Sequence, residues 1–345
     1  MEAAEQARLC TWLDEHVPEC GSGPLQWEVL AGGATNIVMA ISRGGARLAL
    51  RRPPQVPRPD SGKVLAREAT LLRALTGTSV PVPALHAHCE DESVIGAPFY
   101  VFDLIDGWSV RPREEINAAF ASRDARRALA FAMVDGIAEL ALVDYKAVGL
   151  EGFGRPENFL ARQVDRWLAH HASYGQSENY AFRPIPGKDE VVEWLRANVP
   201  ETPHVGIIHG DYGFANVMFR HDQPPRLAGM IDWELSTIGD PLLDLGWLLY
   251  GFKGERETVD PPSVFYHPDY PSREELAAHY AAKTGRDVSN LRYYLILAQF
   301  KLSLLLERHY ARGLNGRMPR EIGEEIGQLA LNLMQRAADM AAPTS

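Results

Sequence analysis

At 345 residues, 46% of them hydrophobic and 23% charged, the chain can build a large core and suggests about two domains of ordinary globular composition. A formal charge of −10, from 35 basic against 45 acidic residues, argues against a nucleic-acid partner held by neutralised phosphates and suits a cationic or neutral ligand. Only three cysteines (Cys10, Cys20, Cys89), a start without the basic-then-apolar order of a signal peptide, and no apolar run of roughly 20 residues point to a cytoplasmic protein with no membrane span.

Residues 3–17 carry Leu9, Trp12, Leu13 and Val17 at helical spacing, and Gly21-Ser22-Gly23-Pro24 breaks the pattern. A strand over 26–30 runs into Ala31-Gly32-Gly33-Ala34-Thr35-Asn36, and strands over 37–42 and 47–51 follow. A Gly-Gly pair alone is as readily a hairpin turn, but Thr35 and Asn36 add small polar donors that suit phosphate oxygens. Arg51 and Arg52 end the third strand. Leu48 and Leu50 alternate against Ala49 and Arg51, so strand phase turns Arg51 inward. After a proline-rich loop over 53–59, a helix with the apolar face Val64, Leu65, Leu71, Leu72 and Leu75 contains Glu68. Strands over 84–89 and 99–104 and a connector at 102–107 close this part. Helices are expected over 124–143, 156–172 and 190–198, with a polar loop at 173–187, and later over 272–283, 289–312 and 318–340.

The stretch from Gly206 to Leu249 carries the chemistry. Two short apolar runs each deliver an acidic residue into a turn: Val205–Ile208 ends at His209-Gly210-Asp211, and Leu227–Ile231 ends at Asp232. Asn216 lies between them, before a strand at 217–219. The pattern implies a hairpin whose mouth gathers Asp211, Asn216 and Asp232. Those groups suit phosphoryl transfer. A hydroxyl nucleophile needs a carboxylate to orient it and take its proton, and a triphosphate needs magnesium, a hard cation that prefers oxygen ligands. Gly239-Asp240-Pro241 reads as a helix start with Asp240 as a structural cap. Asp244, one turn on, reads as a brace for the loop at Asp211, and Glu234 is left between metal, substrate and solvent.

The spacing from Asp211 to Asn216, with a second aspartate on the next strand, is that of a kinase catalytic loop. Gly210 replaces the usual Arg, and Ile231-Asp232-Trp233-Glu234 stands in place of Asp-Phe-Gly. In this the sequence resembles the aminoglycoside phosphotransferase and choline kinase-like superfamily. It is most similar to the phosphotransferase-like domain associated with acyl-CoA dehydrogenase family members 10 and 11. The carriers are Leu50-Arg51-Arg52-Pro53-Pro54, the run from Val143 to Leu150, and the run from Asp232 to Pro241.

The resemblance implies an α+β, protein-kinase-like fold with a β-rich nucleotide-binding lobe over 1–103, a helical lobe over 104–345, and nucleotide in the cleft between them. It implies ATP, with GTP left open, and Mg²⁺ as cofactors. Gly32, Gly33, Thr35 and Asn36 would cover the phosphates. Arg51 would take the place of the family's usual Lys, paired with Glu68. Asp211 would serve as catalytic base, and Asn216 and Asp232 as metal ligands. The partner is a small-molecule hydroxyl acceptor, with no nucleic acid and no membrane, and the oligomeric state stays open. Residues 261–270 and the interleaved aromatics and cations of 289–312 read equally as an apolar groove edged with positive charge or as helical core with solvated cations. The resemblance tips the choice toward a hydroxyacyl-type acceptor, with aminoglycosides second. The rivals are a nucleotide-binding pseudokinase, which the intact Asp211, Asn216 and Asp232 set disfavours, and a metal-dependent hydrolase, for which His204 and His221 form no sensible ligand pair.

Overall fold

A computed structural model describes residues 2–32, 36–54, 60–110, 120–201, 205–263 and 265–343. In chain order the elements of the first half are α1 (Ala3–His16), β1 (Gln26–Gly32), β2 (Ile37–Arg43), β3 (Ala46–Arg52), α2 (Ser61–Leu75), β4 (Leu85–Cys89), β5 (Phe99–Asp103) and α3 (Arg123–Leu142). Then come α4 (Gln163–Ala172), α5 (Tyr174–Ser177), α6 (Lys188–Ala197), β6 (Gly206–Ile208), β7 (Val217–Phe219), β8 (Leu227–Met230) and β9 (Thr237–Gly239). The chain closes with α7 (Leu242–Leu249), α8 (Arg273–Thr284), α9 (Leu291–Leu314) and α10 (Arg320–Ala341). These form two compact units, one of residues 1–109, 144–153 and 216–236, the other of 110–143, 154–215 and 237–345.

The first unit is built on an antiparallel sheet in the order β1-β2-β3-β5-β4. Its strands alternate side chains between two faces. Met39, Ile41, Leu48, Leu50, Phe99 and Val101 pack with Leu9 and Leu13 of α1 into one core. The intervening Val38, Ala49, Arg51, Tyr100 and Phe102 line a cavity on the opposite face. Helix α2 buries Leu65, Glu68, Leu72 and Leu75, spaced as one helical stripe, so its apolar face carries a carboxylate. The hairpin β7–β8 pairs Val217 with Met230 and is tied to the rest of the unit by Met230 N–H donating to the Pro81 carbonyl at 2.7 Å. Gly107 lets the connector lie against β7, since a Cβ there would stand 2.7 Å from the Phe219 carbonyl oxygen.

The second unit is mainly helical. Its one two-stranded ladder among the described residues joins β6 to β9, with Ile207 opposite Ile238. Strand β9 is absent from the sequence expectation, which has the chain after Asp232 run directly to the helix start at Gly239-Asp240-Pro241. The expected helix over 156–172 begins only at Gln163. Asn158 takes a left-handed φ of 51°, which interrupts a right-handed helix. The segment at 173–187 is not a polar loop: Tyr174 and Tyr180 are buried, and Tyr180 donates to Glu307 at 2.7 Å. Among the described residues no helix is long and apolar enough to cross a membrane.

Candidate active site

In the first unit, strand phase places Arg51 on the cavity face, and register sets it opposite Tyr100 on β5 and Val38 on β2. Its guanidinium meets the Glu68 carboxylate at 2.9 Å and Asp232 Oδ1 at 3.2 Å. Tyr100 donates to the other Glu68 oxygen at 3.2 Å. Arg52 turns the other way, to the carbonyls of Ile95 and Pro53. Burial pushes the Glu68 carboxyl up to about 7, opposed by the charge of Arg51. Burial acts against the Arg51 charge too, but Tyr100, Glu68 and Asp232 outweigh it and hold the guanidinium above its ordinary value. The same burial, with Glu68 beside it, raises the Tyr100 hydroxyl. Helix α2 is held in place by Arg67, which stacks over Phe153 at 4.2 Å and donates to its carbonyl.

Asn216 and Asp232 flank the β7–β8 hairpin, joined across its mouth by Ile231 N–H donating to the Asn216 carbonyl at 3.0 Å. Asp232 has φ 65° and ψ 63°, a left-handed conformation that costs a non-glycine residue about 1–3 kcal/mol and recurs at functional sites. The following turn is pinned by the Trp233 indole on the Met230 carbonyl at 3.2 Å. Both residues line the cavity of about 630 Å³ together with Asn36 and Arg51. Its other walls are mostly apolar, among them Val38, Ala49, Met218 and Ile231, with Arg47 and Tyr100 also lining it. A largely apolar cavity that also presents the Arg51 guanidinium, the Asp232 carboxylate and two amides fits a purine nucleotide with its phosphates toward the polar groups. One carboxylate and one amide oxygen are also hard donors of the kind magnesium accepts while keeping several waters. Among the described residues no three His, Cys, Asp or Glu side chains form a metal cage.

In the second unit, β6 runs straight into His209-Gly210-Asp211. The loop is fixed through its backbone: Asp244 Oδ2 accepts from His209 N–H at 2.6 Å and Oδ1 from Gly210 N–H at 2.9 Å. The expected brace is therefore present. Burial raises the Asp244 carboxyl to about 6, opposed first by those two N–H groups and then by Lys301. Gly210 sits at φ 85°, where a side chain would be strained. Asp211 N–H reaches His209 Nδ1 at 3.4 Å, and the Tyr212 hydroxyl donates to the Met133 carbonyl of α3 at 2.8 Å. Asp240 caps α7 through Leu242 N–H at 3.0 Å and receives the Tyr294 hydroxyl at 2.6 Å.

Of the residues expected at the site, Asn36, Arg51, Glu68, Asn216 and Asp232 all belong to the first unit, and Asp211 belongs to the second. Gly32 ends β1 opposite Ile37. Gly33 and Thr35 lie outside the described residues, as does His204. Two groups went unforeseen. Tyr100 reads as one more core aromatic until register sets it beside Glu68. Lys301 was expected at the rim of a groove, yet it is 4% exposed and donates to the Gly210 carbonyl at 2.6 Å. The groove itself requires correction. Tyr293, Tyr294, Phe300 and Leu304 are buried in the packing of α9 and form no open surface. A signal for Lys301 did exist, since it shares one helical stripe with Tyr294, Leu297 and Leu304, where a cation must find partners.

A sequence profile described as the phosphotransferase enzyme family matches residues 26–276. Acyl-CoA dehydrogenase family member 11 of Gallus gallus is 29% identical over 94% of this chain, which spans 41% of that protein's length. The chain thus spans less than half of the curated relatives it matches first. A crystal structure from Ralstonia eutropha, provisionally assigned as an aminoglycoside phosphotransferase, superposes with a TM-score of 0.81 at 28% identity over 97% of both chains. The aminoglycoside phosphotransferase APH(4)-Ia, solved with AMP-PNP and hygromycin B, shares the fold at a TM-score of 0.61 and 14% identity, over 97% of this chain and 99% of its own. The α+β fold is therefore the kinase-like fold of these phosphotransferases.

Proposed function

Because this chain belongs to the phosphotransferase enzyme family, we propose that it moves the γ-phosphoryl group of ATP to a hydroxyl of a small molecule. The observation that supports this most is the buried Arg51–Glu68 pair in contact with Asp232 beside a largely apolar cavity. The purine occupies the apolar part, beside Val38, Ala49, Met218 and Ile231. The triphosphate extends toward Arg51, whose planar fork takes the role a lysine commonly fills. Asn36 adds an amide donor. Asn216 and Asp232 hold magnesium, which when bound neutralises charge on the phosphate oxygens. Four residues of chain separate Asp211 from Asn216.

Asp211 orients the acceptor hydroxyl and takes its proton as the oxygen attacks phosphorus in line. A new P–O bond forms to the acceptor, and the bond to the β-phosphate oxygen breaks to leave ADP. The acceptor class is a hydroxyacyl-type molecule on the strength of the relatives' association with acyl-CoA dehydrogenases, and aminocyclitols are the comparison class. An ADP-release screen over sugars, amino alcohols, aminocyclitols and hydroxyacyl thioesters, with ATP and GTP in parallel, tests both reaction and acceptor. Magnesium-dependent release with at least one hydroxyl acceptor is expected. Nucleotide binding without release on any acceptor would instead identify a pseudokinase.

A further inference from the structure

We propose that Lys301 is the positioning residue for Asp211: its ammonium, entering from α9, holds the carbonyl of the Gly210–Asp211 peptide, while Asp244 holds the peptide before it. The inference rests on Asp211 being the base, as argued above. Gly210 has no side chain and a left-handed backbone, so nothing of its own fixes the peptide that leads into Asp211. Two buried charges bracket Gly210, Asp244 on the peptide before it and Lys301 on the peptide that leads into Asp211. Asp244 holds the Gly210 N–H at 2.9 Å and Lys301 Nζ holds the Gly210 carbonyl oxygen at 2.6 Å. The ammonium also lies 3.8 Å from the ring centroid of Trp247 on α7 and 5.2 Å from that of Trp167 on α4. The two aromatic faces confine it and favour its charge. A kinase catalytic loop of this spacing carries an arginine where Gly210 stands. Here the cation comes from 91 residues further along the chain.

A buried lysine has a specific cost and a specific use. The charged and titratable groups that act on Lys301 are Asp211, Asp244 and Arg166. Burial pulls the ammonium down to about 8, and Asp211 and then Asp244 resist that, while Arg166 adds to it. Asp211 and Asp244 thus help to keep the ammonium charged, and the attraction acts equally on Asp211. One group therefore fixes the direction of the base and favours its ionised form. Losing the proton from Lys301 weakens both effects.

The test combines kinetics with a titration that does not need turnover. Lys301→Met keeps an unbranched chain between the two indoles. It is expected to lower kcat about 100-fold, the scale of a misplaced catalytic group, while KM and Kd for ATP stay within twofold, roughly. Wild-type kcat is expected to fall as pH rises through about 8, and that limb should be missing from Lys301→Met. Independently, ¹³Cε-labelled lysine spectra, simple with six lysines, should show one resonance titrating near 8. It should vanish in Lys301→Met and move to lower pH in Asp211→Asn. If no acceptor is ever phosphorylated, the proposed reaction fails and the titration alone decides the present inference. Wild-type kcat in Lys301→Met, a parallel loss of ATP affinity, or a lysine titration indifferent to Asp211→Asn would each overturn it.

Discussion

The Arg51–Glu68 pair makes the most quantitative demand on the account. Glu68 is 1% and Arg51 is 9% exposed, and their contact of 2.9 Å has little solvent around it. Removing one partner of such a pair strands the other charge, at a cost of about 3–5 kcal/mol in stability. Both singles should fall near the lower end. After Glu68→Ala, Arg51 keeps Asp232 at 3.2 Å. After Arg51→Ala, Glu68 keeps the Tyr100 hydroxyl and can take up a proton, since burial already holds it at about 7. The double replacement strands neither charge, so it should cost about as much as one single, with a coupling of about 3 kcal/mol. Urea unfolding of all four proteins at pH 8 reads this, and ATP use should follow, each single weakened and the double little worse. Additive losses in both assays would refute the pairing.

The pH dependence gives the same pair a sign. The Glu68 carboxyl binds a proton more readily folded, at about 7, than at its ordinary 4.5. Its protonated form therefore contributes stability that is full below 4.5 and is lost as pH rises through about 7. Glu68→Gln should flatten that slope, and an unchanged slope would assign it elsewhere.

Asp211→Asn should lower turnover by about 10²–10⁴ and leave nucleotide affinity nearly unchanged, because the carboxylate meets the acceptor; equal losses, read by steady-state kinetics and calorimetry, would mean that a different aspartate is the base. Asp232→Ala should abolish magnesium-dependent ATP binding in calorimetry, and an unaltered metal dependence would remove it from the metal site. Asp244→Ala strands the N–H groups of His209 and Gly210. It should cost about 2–6 kcal/mol in urea unfolding at roughly 1–3 kcal/mol per orphaned group, and a loss under about 1 kcal/mol would mean that the loop is braced elsewhere.

The placement of much of the candidate site was legible in the sequence, for definite reasons. Glu68 lies in the stripe of Leu65, Leu72 and Leu75, and a carboxylate inside an apolar stripe must have a partner. Arg51 follows from period-two alternation with Leu48 and Leu50. Asn216 and Asp232 follow from two strands short enough to be read as one hairpin. The less legible parts depend on long-range register. Tyr100 gains its role only because β3 and β5 pair Arg51 with it. Pairing of β6 with β9 joins strands far apart in the chain, which no local pattern shows. The aromatics of α9 occupy several helix faces, so their density reflects a helix packed on many sides and not an open groove.

The most direct measurement is ³¹P NMR of a complete reaction with the acceptor that scores in the screen. The account predicts a new phosphate-ester resonance rising in step with ADP, absent without magnesium and suppressed in Asp211→Asn. ADP rising with inorganic phosphate alone, or ATP left intact although bound, would contradict it.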